Sequence, residues 1–94
     1  MTTEHNELEN GIAAVVEFRG LPEPAPGRVY ELWLIRAGGA AEPRAVFVPE
    51  SGGSRAVVLT ADLSGVTTLA VTVEAGPNGA QAPTQEPLIK GRIA

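Results

Sequence analysis

The sequence contains no cysteine, which excludes disulfides, thiolate metal sites and a cysteine nucleophile together. Its single histidine, His5, sits in a polar opening stretch. A metal site would therefore have to be built from carboxylates alone, and a copper site of the kind carried by some β-sandwiches, which needs paired histidines and a cysteine, is excluded. Aromatics make up 4% of the residues, one Trp, one Tyr and two Phe, so each weighs heavily in a light core. Positive charge is scarce as well: seven Lys and Arg are spread singly against eleven acidic residues, for a net charge of −4. Without a basic stripe to neutralise phosphates, nucleic-acid binding is not expected. The longer apolar runs, such as Ile12–Val16 and Leu32–Ile35, fall far short of the roughly 20 residues that span a bilayer, so this segment is not expected to insert into a membrane. Residues 1–10 have no cationic start and no apolar centre. They read as a polar, disordered lead-in or a cloning boundary, not as a secretion signal.

What is present is strand and turn. The 94 residues suffice for one core, assigned to a single domain over residues 11–94. Gly and Pro, eleven and eight in number, fall between short apolar runs. Ile12–Arg19 alternates with Phe18 on the face expected to be buried. Gly20–Gly27 carries Pro22, Pro24 and Pro26 and reads as a stiff crossing loop. Arg28–Arg36 is apolar on both faces apart from Glu31, as a central strand would be. A turn over Ala37–Pro43 leads to a short strand Arg44–Val48, and Glu50–Gly53 is expected to close a hairpin with Ser54–Thr60. Thr67–Glu74 alternates cleanly. A long loop, Ala75–Pro87, precedes a last strand, Leu88–Ile93, and loops of that length in small domains are often functional. The spacing predicts an all-β fold, a small antiparallel two-sheet β-sandwich of the Ig-like kind with about six to seven strands, an open barrel being the alternative.

The search for chemistry yields no catalytic, cofactor-binding or metal-ligating residues. Glu17, Glu31 and Glu74 lie on strands, where solvent-facing positions account for them as well as an acid–base pair would. Gly38-Gly39 and Gly52-Gly53 are turn glycines, since neither pair is followed by Lys-Ser/Thr. Asp62 and Ser64 offer too few acidic ligands for calcium. Tyr30 and Trp33 fall on opposite faces of one strand and are both expected to be mostly buried. The residues alone point to no enzyme.

Two segments together resemble the C-terminal extracytoplasmic domain of the anti-sigma-K factor (RskA-type) family. The first runs Gly20-Leu21-Pro22, a proline-containing spacer, then Gly27, Tyr30, Leu32 and Trp33. The second is Val71-Thr72-Val73-Glu74, followed by Gly79 and by Pro83-Thr84. These family-motif positions are expected to be structural. Ala75 departs from the pattern, which usually has proline there. The resemblance implies a non-catalytic sensor and regulatory domain on the outer face of the cell membrane, part of a single-pass protein, controlling regulated proteolysis and sigma-factor release. A protein partner or protease would act on the parent protein. The sigma factor would be met only through a cytoplasmic segment that this chain lacks, as it lacks the membrane helix. The alternative is a generic extracytoplasmic binding or adhesion module for a protein or small ligand.

Overall fold

The alternation in the sequence resolves into two antiparallel sheets in the computed structural model, which describes the backbone of residues 2–8, 11–61 and 65–92 and the side chains of residues 15–59 and 65–92. Among the described residues there are seven strands and no helix: β1 (Thr2–Leu8), β2 (Gly11–Phe18), β3 (Arg28–Arg36), β4 (Ala41–Phe47), β5 (Arg55–Ala61), β6 (Val66–Ala75) and β7 (Ile89–Arg92). One sheet has the order β1-β2-β5 and the other β4-β3-β6-β7. The sheets do not close into a barrel, and the fold is the two-sheet sandwich.

The core lies between the sheets because period-two alternation gives β2, β3, β5 and β6 an apolar inner face. Val16 and Phe18 of β2 with Val57 and Leu59 of β5 meet Tyr30, Leu32 and Leu34 of β3, Phe47 of β4, and Leu69 and Val71 of β6. Phe18 and Phe47 stack across the gap with ring centroids 5.0 Å apart, and Tyr30 stacks on Phe47 at 5.7 Å. Three of the four aromatics thus form one column joining the sheets. Each such pair adds about 0.5–1.5 kcal/mol beyond its buried area.

Three expectations are corrected. Residues 1–10 do not form a disordered lead-in throughout: Thr2–Leu8 pairs along β2, Thr2 opposite Glu17 and Leu8 opposite Gly11. Its polar side chains hid it, because an edge strand is held by backbone bonds and carries polar residues without penalty. Second, β4 starts at Ala41 and contains Pro43. Proline is tolerated there because β4 is an edge strand, and the register shifts at that point so that Pro43 and Ala45 face consecutive residues of β3, Trp33 and Leu32. Third, β4 and β5 are not a hairpin. They belong to opposite sheets, and the turn between them crosses the end of the sandwich, with Phe47 of β4 stacked on Phe18 of the other sheet. Asp62 and Ser64, weighed above as calcium ligands, lie outside the described residues.

That crossing turn is built on Gly53. The Glu50 N–H donates to the Ser54 carbonyl at 2.8 Å and the Gly53 N–H to the Glu50 carbonyl at 2.9 Å, while the Gly53 carbonyl accepts the Leu21 N–H at 3.0 Å. Gly52 and Gly53 both have positive φ, 90° and 82°. They differ in room: a Cβ on Gly52 would meet nothing within 4 Å, whereas one on Gly53 would lie 2.6 Å from the Leu21 carbonyl oxygen. Gly52→Ala should lower the unfolding free energy by about 1 kcal/mol, the usual left-handed penalty. Gly53→Ala should lower it by roughly 3 kcal/mol, because the Leu21 backbone must also move. Urea denaturation of the two variants side by side checks this, and equal losses would refute the docking role of Gly53.

Candidate functional site

The chemistry gathers on the outer face of the four-stranded sheet. Alternation along β3 turns Tyr30, Leu32 and Leu34 into the core and leaves Glu31 and Trp33 on the other side. Along β6 it leaves Ala70, Thr72 and Glu74 there. A sheet face turned away from the core is ordinarily wet, yet Glu31 is 2% exposed and Trp33, Thr72 and Glu74 are 0% exposed. The segment 76–88, which joins β6 to β7, crosses this face and excludes the water.

The segment is bound to the sheet by two carboxylates. Ala80 donates its N–H to Glu31 Oε1 at 2.7 Å. Thr84 donates its N–H to Glu74 Oε2 at 3.1 Å and its hydroxyl to Glu74 Oε1. Beneath them Trp33 Nε1 donates to Thr72 Oγ1 at 2.8 Å, and the Thr72 hydroxyl donates to Glu74 Oε2 at 2.6 Å. A chain of donors thus runs from the indole to the carboxylate. Gly79 makes the approach feasible: its φ is +74°, and a Cβ there would lie 2.5 Å from Glu31 Oε1 and 2.9 Å from Val46 Cγ2. The ends of the strap are tied by backbone bonds, Gly76 N–H to the Gly27 carbonyl at 2.8 Å and Leu88 N–H to the Val71 carbonyl at 2.7 Å. The Gly76–Pro77 peptide is cis.

The two carboxyls are pushed in opposite directions. Burial acts to raise Glu74, but the Thr72 hydroxyl, the hydroxyl and N–H of Thr84, and the charge of Arg28 outweigh it and hold the group below the ordinary carboxylate range. Burial raises Glu31, the negative charge of Glu74 raises it further, and the single N–H of Ala80 only partly offsets them. Opposed shifts in neighbouring carboxyls can mark an acid–base pair. Here, however, the oxygens accept from the chain's own strap, and among the described residues no buried side-chain nitrogen or oxygen lacks a partner. Nor do three His, Asp or Glu side chains converge on a metal position among the described residues.

Of the motif positions read from the sequence, Trp33, Thr72, Glu74, Gly79 and Thr84 meet in this one network. Pro83 is exposed on the strap beside Thr84. The others serve the core side. Leu21, Leu32 and Val71 are buried in the cluster, with Val73 packed against it. Tyr30 is 2% exposed and its hydroxyl donates to the Pro22 carbonyl at 2.6 Å, tying β3 to the proline loop; burial raises the phenol above its ordinary value. Gly20 and Gly27 turn the ends of that loop with positive φ. Of Glu17, Glu31 and Glu74 only Glu17 is solvent-facing, paired with Arg19 at 3.8 Å. The reading of Glu31 and Glu74 as solvent-facing is corrected by their burial. Sequence reasoning also missed the Ala80 N–H. A signal for Glu31 was present: a charge inside a strand apolar on both faces must find partners. At the end of the sandwich, Gly20–Gly27 and residues 48–53 enclose a cleft of about 640 Å3 with Pro24, Pro26 and Pro49 in its walls and Glu23 and Glu50 among its lining.

Compared with known proteins, the chain matches the family described as anti-sigma-K factor RskA, C-terminal, over residues 7–88. It is 39% identical over 72 residues to the anti-sigma-K factor RskA of Mycobacterium ulcerans (strain Agy99). That match covers 77% of this chain and 30% of the relative's length. No solved structure matches.

The opposed carboxyls give a pH signature. Glu74, held low, contributes stability that is fully present above the ordinary carboxylate range and is lost as pH falls through its depressed value. Glu31, held high, favours the folded state while protonated, and that contribution is lost as pH rises from the ordinary range through its raised value. Relative to wild type, Glu74→Gln should therefore show a deficit that grows with pH below the ordinary range, reaching roughly 1–3 kcal/mol at neutrality from its weakened hydrogen bonds. Glu31→Gln should gain on wild type with rising pH above that range. Urea titrations across pH 3–7 (about 4.3 being an unperturbed Glu) measure both slopes, and slopes of the same sign would refute the assignment.

Proposed function

The chain belongs to the anti-sigma-K factor RskA C-terminal family, and from that premise we propose that it is the extracytoplasmic regulatory domain of an anti-sigma factor, controlling regulated proteolysis and sigma-factor release without catalysing a reaction. The family match carries this reading. It is supported by the site itself, whose buried carboxylates are committed to holding the chain's own strap and present no free acid, base or nucleophile to a substrate. In this reading other parts of the parent protein supply the sigma-binding segment and the membrane anchor. Among the described residues no helix is long and apolar enough to cross a membrane.

The mechanism is steric. A folded sandwich beside the membrane shields the stalk that connects it to the anchor, and a signal that alters the shielding lets a protease act. A second reading, favoured by the proline-walled cleft between Gly20–Gly27 and residues 48–53, is a binding module for a protein or small ligand. A neighbouring sigma-factor gene and an upstream membrane helix in the parent favour the first; fusion to catalytic or wall-binding domains favours the second.

Shielding is tested in the parent protein by comparing stalk cleavage in the wild type and in Trp33→Ala. Removing a fully buried Trp destabilises by about 3–5 kcal/mol, a large part of the stability of a domain this small. Cleavage without signal should rise several-fold, and equal rates for an unfolded variant and wild type would rule shielding out.

A further inference from the structure

The strap over residues 76–88 adds nothing to the apolar core. None of its residues belongs to the cluster between the sheets, where the first partly buried contributor after Val73 is Ile89, beyond the strap. It is held instead by N–H and hydroxyl donors, Ala80 to Glu31 and Thr84 to Glu74, and by backbone bonds near its two ends at Gly76 and Leu88. Its middle, residues 81–86, is exposed. Lifting it would break those few bonds but would return water to two carboxylates that share one sheet face, and so recover hydration that burial had removed. The sandwich below would keep its aromatic column, its inner cluster and the pairing of β3 with β4 and β6.

We infer that residues 76–88 form a latch that opens from the outer sheet face while the two-sheet sandwich stays folded, with Glu31 and Glu74 as its catches. Segments with few apolar contacts and bonds near solvent are the ones that open below the global unfolding free energy. Opening uncovers Trp33, which is buried on the latch side of the sheet and is the single Trp of the chain. Indole emission therefore reports the latch without a label. The inference stands on the geometry of the strap and does not depend on the regulatory reading.

Native-state hydrogen exchange of the whole chain in sub-denaturing urea tests it. The amides of Ala80 and Thr84 should exchange at least about tenfold faster than those of Leu32 and Leu34 in β3, with rates nearly independent of urea, while the β3 amides follow the global transition. Thr84→Val, which removes the hydroxyl catch, should raise Ala80 exchange and acrylamide quenching of Trp33 more than it changes exchange at Leu32 and Leu34. The inference is overturned if all four amides share one rate and one urea dependence in the wild type, or if the variant lowers their protection equally. Should Thr84→Val fail to fold, the wild-type comparison decides alone.

Discussion

Everything in this domain follows from β3 being a central strand that must be dry on both faces. Its neighbours β4 and β6 satisfy its backbone, but they leave two sides to cover. The inner side is solved by the opposite sheet, which presents Val16, Phe18, Val57 and Leu59 to Tyr30, Leu32 and Leu34. The outer side has no second sheet. It carries a carboxylate and the largest aromatic, Glu31 and Trp33, both essentially without water contact, and a charged group so placed requires donors brought to it. The strap exists in the form it does because it must deliver N–H and O–H groups at two fixed points.

That division separates two kinds of cohesion. Between the sheets the contacts are apolar and stacked, non-directional and insensitive to pH. On the outer face they are directional and charge-assisted, and their strength depends on protonation. The Trp33–Thr72–Glu74–Thr84 relay couples the two, since Trp33 and Thr72 are rooted in strands whose alternate residues form the core. A light core with four aromatics spends three on the column and places the fourth where a hydrogen-bonded network can use its N–H.

Strand positions were legible in the sequence wherever one face was apolar, so β2, β3, β5 and β6 were read nearly to their ends. The proline loop was legible too, because Pro22, Pro24 and Pro26 restrict their own and preceding residues. β1 was not, since its sequence carries no apolar period and its backbone pairing with β2 leaves no mark in one dimension. Neither was the assignment of β4 and β5 to different sheets: a Gly-Gly turn fits a hairpin and a crossing equally well, and the choice was made by Gly53 approaching the Leu21 backbone, 32 residues away in sequence. The site was half legible. The motif residues of the family resemblance were in hand, but with a loop between them nothing in one dimension places Thr84 on Glu74 or Ala80 on Glu31.

Ala75, where the resemblance drawn from the sequence implies proline, fits the same logic. Ala75 ends β6 opposite Arg28, is exposed, and uses its carbonyl to accept the Gly79 N–H at 3.0 Å. A proline has the same carbonyl, so the turn that brings Gly79 back toward the sheet forms with either residue; what proline adds is a fixed φ in the unfolded chain. Gly79 has no such freedom, because Glu31 and Val46 occupy the space any side chain would need. The strap therefore tolerates change where it leaves the sheet and resists it where it returns, and the returning half holds both of its carboxylate contacts.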